Sequence, residues 1–177
     1  QIHICATRPG ELRTSSRFSI VAGQGLEQLE QMDMVVVPSW NEKQPSAELL
    51  LAIRQAADRG ATIVGLCLGA FVLAEAGLLE KKRATTHWRW MQAFSARYPS
   101  VDIDRDVLYV DLGQTVTSAG TAASIDCCLH LVRRNLGMEV ANQVARLLVI
   151  PSHRHGGHAS SADQPVIARS AGDRFMT

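Results

Sequence analysis

The sequence predicts an α/β fold: a three-layer sandwich in which a mostly parallel sheet carries helices on both faces. Three observations point there. Short β-rich runs alternate with helical runs along the chain. Two of the β-rich runs, MDMVVVP (32–38) and ATIVGL (61–66), are apolar almost throughout, as strands buried on both faces must be. The helical runs between them place apolar residues at helical spacing, which suits crossover helices packed on such a sheet.

Taken in order, IHICA (2–6) reads as a strand, and RFSIVAGQ (17–24) as a weak second strand or an arm lying over the sheet. After strand 32–38, Pro45 opens a helix, where its missing N–H costs nothing. Leu49, Leu50, Ile53, Ala56 and Ala57 share one face of that helix, and Gly60 supplies its C-terminal cap. Strand 61–66 leads into LGAFVLAEAGLL (68–79), helical and apolar on nearly every side, hence buried. ATTHW (84–88) reads as a short strand and RWMQAFSARY (89–98) as a helix ended by Pro99. VLYVDLGQTVTSA (107–119) reads as a hairpin with Gly113 in its turn. Ile125, Cys128, Leu129, Val132 and Leu136 make a helical stripe ended by Gly137, and MEVANQVARLLVI (138–150) is a last helix stopped by Pro151. From Ser152 the texture turns to His, Gly, Ser, Ala and Asp, as in an exposed loop or linker.

The composition is that of a globular chain with a full core: 177 residues, 46% of them apolar. The net charge of +1 leaves no bulk electrostatic footprint for nucleic acid in these residues. No apolar run reaches the roughly 18 residues of a membrane span, and QIHICATRPG is too short and mixed for a signal peptide. Of the four cysteines none forms a C-x-x-C pair, and neighbours Cys127 and Cys128 are poor disulfide partners. That reads as free thiols in a reducing, cytoplasmic setting. No cofactor or metal motif stands out.

The chemistry concentrates at Gly65-Leu66-Cys67-Leu68-Gly69, a G-x-C-x-G segment between a strand and a helix. This is the context of a nucleophile elbow, whose tight turn demands small neighbours and strains the central residue. The following helix aims its first amides at the sulfur, which favours thiolate, and the Leu68 amide could stabilise an oxyanion. The elbow reading therefore expects Cys67 to be exposed and reactive; the alternative is a buried, inert thiol, the fate expected of Cys5, Cys127 and Cys128.

GLCLGAFVLAEAGLLEKKRATTHW, SAGTAASIDCCLHLVRR and VIPSHRHGG together resemble the ThiJ/PfpI superfamily of glutamine-amidotransferase-like domains. More narrowly, they resemble the amidotransferase-like N-terminal domain of AraC-type transcriptional regulators. The resemblance runs from about Ile2 to Gly157. It implies an amidotransferase-like (flavodoxin-like) sensor domain over 1–157. The family's first strand and helix would precede this chain, and 158–177 would link to a C-terminal helix-turn-helix domain absent from it. It implies a small-molecule effector, DNA as partner through that absent domain, a homodimer and no membrane. In the superfamily a histidine at the place of His87 often lies near the cysteine, where it could serve as base or counter-charge. His87 could equally pack against Trp88 or Trp90. Ser39 stands where relatives commonly have glycine, and Leu68 where isonitrile hydratases commonly have threonine. Glu75 and Glu80 face away, leaving no local acid to hold His87.

Four further residues are candidates for the ligand site with Cys67, Leu68 and His87. Ser39 and Trp40 follow a strand end, and Trp40 could wall a pocket or belong to the core or an interface. Gly120 and Thr121 start a helix whose free amides suit a carboxylate, although an ordinary cap by Ser118 or Thr121 explains them too. His153, His155 and His158 crowd the tail at irregular spacing, more like an exposed basic loop than a metal site. Three functions stay open: the effector-sensing domain of a regulator; a cysteine hydrolase, hydratase or glyoxalase-like enzyme using Cys67 and His87; and a redox or electrophile sensor at Cys67.

Overall fold

The computed structural model describes residues 1–14, 16–40 and 44–151. The tail histidines and the linker 158–177 lie outside them. Near the start of the chain, β1 (Gly10–Arg13) and β2 (Ser19–Ala22) pair antiparallel as an exposed hairpin outside the main sheet. A short 3-10 helix (Leu26–Gln31) leads into β3 (Met34–Val37). Helix α1 (Ala47–Asp58) follows, its first turn capped by Ser46, whose Oγ accepts from the Leu49 amide at 3.2 Å. At its other end Gly60 takes φ +96, a conformation that glycine enters without a Cβ clash.

Beyond α1 come β4 (Thr62–Leu66), α2 (Gly69–Glu75), β5 (Arg83–Ala84), α3 (Met91–Arg97), β6 (Asp102–Ile103), β7 (Tyr109–Asp111), β8 (Thr115–Ser118), α4 (Thr121–Leu136) and α5 (Met138–Leu147). The main sheet has the order β3-β4-β8-β7. The first three are mutually parallel, and β7 returns antiparallel to β8. The expected hairpin is this β7–β8 pair, with Gly113 at φ +85 in its turn.

Alternation along β4 puts helices on both faces. Ile63 packs into a core with Ile53 of α1, Leu73 of α2 and Phe94 of α3. Val64, one residue on, points the other way into a cluster with Val116, Cys127 and Leu131 of α4. The expected three-layer α/β sandwich is therefore what forms. The larger core is completed by edge-to-face contacts of Phe71 with Phe94 and Tyr98, centroids 4.8 and 6.1 Å apart.

Several elements differ from expectation. Residues 2–6 are not a strand: Cys5 makes a single bridge to Gln24, and Ile2 is 92% exposed. A strand needs a partner edge, and here the chain finds one for one residue only. The strand expected at 84–88 is the two-residue β5, paired with β6 away from the main sheet. The elbow helix stops at Glu75 rather than running to 79, with Gly77 at φ +79 turning the chain. On α4, Ile125, Cys128 and Leu136 face outward, while Ala123, Cys127 and Leu131 are buried. The helix is flanked by the sheet on one side and by α5 on another, where Leu129 meets Ala141 and Ala145. Among the described residues no helix is long and apolar enough to cross a membrane.

Candidate functional site

The elbow lies at the carboxyl end of β4, where open α/β sheets form their sites. Cys67 adopts φ +56, a left-handed conformation costing an L-residue about 1–2 kcal/mol. Both flanking glycines are required by contact. A Cβ on Gly65 would lie 2.9 Å from the Ala70 amide nitrogen, and one on Gly69 would lie 2.8 Å from the Pro38 carbonyl and closer still to that of Val37. The end of β3 is thus pressed against the turn. The G-x-C-x-G pattern records two backbone approaches that leave no room for a side chain.

Three polar groups hold the strained residue. The Cys67 amide donates to the Ser118 carbonyl at 3.1 Å and to Ser118 Oγ at 3.3 Å. Thr86 Oγ1 donates to the Cys67 carbonyl at 2.9 Å. Behind them lies a floor of buried hydroxyls: Thr85, Thr86, Thr117 and Ser118 are all essentially inaccessible. The Thr85 amide donates to Thr117 Oγ1 at 3.0 Å, while Thr85 Oγ1 has no hydrogen-bond partner. The side chain of Cys67 itself sits low. At 8% exposure the residue is buried, which corrects the expectation of an exposed thiol.

His87 follows Thr86 directly and caps the short 3-10 helix Trp88–Trp90. Its Nδ1 accepts from the Arg89 amide at 3.3 Å. That nitrogen therefore carries the lone pair, and the proton of the neutral ring is on Nε2. The ring stacks on Trp88, centroids 5.7 Å apart. Its opposite edge meets Gly120, where an added Cβ would lie 3.3 Å from Cδ2 and 3.9 Å from Nε2. No hydrogen bond joins His87 to Cys67 among the described residues. A base must turn a free ring lone pair toward the thiol while a third group holds the other nitrogen, and the lone pair of Nδ1 is engaged by the Arg89 amide. Here Nε2 is a donor. Glu75 is engaged elsewhere, accepting from Tyr98 Oη at 2.6 Å and pairing with Arg97 at 3.0 Å. Burial and that hydrogen bond push the Tyr98 phenol well up.

Gly120 is the N-cap of α4, so the cap is neither Ser118 nor Thr121, the first residue of the helix. No side chain caps the amides of that first turn, and Ser124 bonds back to its start. Its amide and its Oγ both donate to the Gly120 carbonyl, at 2.6 and 2.8 Å. The structure thus gathers Cys67 and Leu68, Thr86 and His87, and Ser118 to Gly120 around one turn. Ser39 is exposed just past β3. Trp40 is half-buried against the main core. It also borders a groove of about 490 Å³ beside the outer edge of β3. Thr86, Ser118 and Ser124 went unread as site residues. Their signal is the density of hydroxyls in TTH and TSAGTAAS, which periodicity cannot distinguish from ordinary turn chemistry. Among the described residues no group of His, Cys, Asp and Glu could hold a metal ion.

Comparison with known proteins agrees with this geometry. The sequence profile of the DJ-1/PfpI family matches residues 1–134. The HTH-type transcriptional regulator CdhR of Pseudomonas aeruginosa is 33% identical over 150 residues, covering 84% of this chain and 44% of CdhR. The chain thus spans less than half the length of that relative. Isonitrile hydratase of Pseudomonas putida is 29% identical over 147 residues, covering 81% of this chain and 63% of the hydratase. Among solved structures, an AraC family transcriptional regulator from Pseudomonas putida superposes with a TM-score of 0.71 at 22% identity, over 81% of this chain and 78% of that one. With the profile covering most of the chain and the elbow built as the fold requires, the chain belongs to the DJ-1/PfpI family.

Proposed function

We propose that this chain is the effector-sensing part of an AraC-type transcriptional regulator. A small molecule binds at the Cys67 elbow and changes how an attached helix-turn-helix domain engages DNA. One observation carries the choice of sensing over turnover: the scaffold of the elbow is complete, but His87 Nδ1 is engaged by the Arg89 amide, and among the described residues no carboxylate bonds to its ring. The Leu68 amide, His87 and the turn at Gly120 and Thr121 offer donors to a bound acceptor, with Ser39 and Trp40 at the rim. The likeness to CdhR, a regulator by name, supports the same reading.

The sensor domain takes residues 1–157, with 158–177 as linker to the DNA-binding part. The regulator is a cytoplasmic homodimer, a symmetry suited to palindromic operators. The projecting β1–β2 hairpin, with Phe18, Ile20 and Val21 exposed, supplies apolar surface for it.

The test compares wild type with Cys67→Ser and His87→Ala in the full-length regulator. Steady-state kinetics on amide, isonitrile and α-oxoaldehyde substrates are expected to show negligible turnover in all three. Operator binding with and without a metabolite extract should respond to the extract in wild type and lose that response in His87→Ala. Rapid turnover of one substrate by wild type, abolished in Cys67→Ser, would establish the hydratase-like alternative instead.

A further inference from the structure

The hydroxyls behind the elbow have a direction. Ser124 Oγ spends its single proton on the Gly120 carbonyl, 2.8 Å away. In the contact of 3.0 Å between Ser118 Oγ and Ser124 Oγ, Ser124 must therefore accept and Ser118 donate. Ser118 Oγ in turn accepts the longer branch, 3.3 Å, of a bond that the Cys67 amide shares with the Ser118 carbonyl at 3.1 Å. The chain of bonds runs one way, from the Cys67 N–H through Ser118 and Ser124 to the Gly120 carbonyl at the start of α4. It begins on a residue strained at φ +56 and ends on the glycine against which His87 packs. Ser118 is fully buried, so no water substitutes for it at the first link without rearrangement.

We propose that Ser118 and Ser124 are positioning residues for the elbow. Their hydroxyl relay fixes the Cys67 amide and couples its position to the first turn of α4. Ser124 touches neither Cys67 nor His87 through any bond of its own, yet it determines whether the Ser118 hydroxyl is oriented to accept from Cys67. A molecule that lifts the elbow thereby disturbs the start of the helix that packs along α5. This consequence rests on the elbow being the effector site; the relay itself does not.

The experiment is amide hydrogen exchange by NMR on the ligand-free 177-residue chain, for wild type, Ser118→Ala, Ser124→Ala, the double variant and Ser124→Thr. Loss of one neutral hydrogen bond corresponds to a change of roughly threefold to tenfold in local opening. Ser124→Ala is expected to accelerate exchange of the Cys67 amide by about threefold or more. Ser124→Thr, which keeps a hydroxyl able to bond back to the Gly120 carbonyl, should restore the wild-type rate. The double variant should match Ser118→Ala, because the two residues act in series. The Ile63 amide, bonded to the Gln114 carbonyl at the far end of the same strand pair, should be unchanged. The relay is overturned if Ser124→Ala leaves the Cys67 amide at its wild-type rate, if the single effects multiply in the double variant, or if Ile63 accelerates equally. Because no effector is present, failure here leaves the sensing proposal standing. Failure of the operator test leaves the relay standing.

Discussion

Gly69 shows how much a single position can record. Its missing side chain is dictated by the carbonyl oxygens of Val37, the last residue of β3, and of Pro38 just past it, and backbone atoms cannot swing aside as the end of a flexible side chain can. Gly69→Ala is expected to destabilise the chain by about 3 kcal/mol, the upper range for forced overpacking, measured by urea unfolding. Gly113→Ala is the contrast. Nothing lies within 4 Å of a Cβ there and only φ +85 is at stake, so about 1–2 kcal/mol is expected. Equal losses at the two positions would mean that the β3 contact is not what makes Gly69 necessary. The glycines and the strain at Cys67 were legible because strand, turn and helix are contiguous in sequence. The burial of Cys67 was not. The groups that hold its backbone, Thr86 and Ser118, stand 19 and 51 residues away, and no local pattern predicts their approach.

At the scale of elements, α4 separates two adjacent thiols that composition treats alike. Successive residues on a helix point about 100° apart. Packing on the sheet buries Cys127 completely and leaves Cys128 exposed. Burial pushes the Cys127 thiol up to about 12 and raises that of Cys128 as well, so the contrast between them rests chiefly on access of the reagent. Iodoacetamide at pH 8 is therefore expected to modify Cys128 in the native chain and spare Cys127, with all four cysteines reacting in urea; mass spectrometry of peptides reads the result. Equal labelling of Cys127 and Cys128 without denaturant would contradict this placement of α4. The helix was legible from its apolar repeat, but the face was not. With the sheet on one side and α5 on another, apolar residues occur around most of the circumference, and the stripe through Ile125, Cys128 and Leu136 looked as good as the buried one. The false strand at 2–6 has a related cause. A β-rich run shows fitness for a pleated surface, not the presence of an edge to pair with.

Across the whole molecule, the fold class was legible because two continuous apolar strands between helical runs admit few alternatives. What binds the layers to one another was not. At the end of the sheet away from the elbow, Asp111 at the end of β7 accepts from His130 Nε2 at 2.7 Å and from Arg134 Nη1 at 2.9 and 3.0 Å. Arg134 also donates to the Gly113 carbonyl at 2.8 Å and to Thr62 of β4 at 3.4 Å. One carboxylate thus ties α4 to the β7–β8 turn, with β4 held through the same guanidinium. Burial opposes its charge, but the bonds from His130 and the Gly113 amide, with Arg134 beside it, hold the Asp111 carboxyl below its ordinary value. A carboxylate depressed on folding contributes stability that is full above its unfolded pKa of about 3.9. That contribution is lost as pH falls through the folded value. Asp111→Asn should therefore cost about 1.5–3 kcal/mol at pH 7, the range for hydrogen bonds to a charged group. The gap between variant and wild type should shrink steadily below pH 4. Urea unfolding of both proteins between pH 7 and pH 3 measures it. A difference that stays constant across that range would show that Asp111 acts through shape and neutral hydrogen bonds, with its charge contributing nothing to how the layers are held.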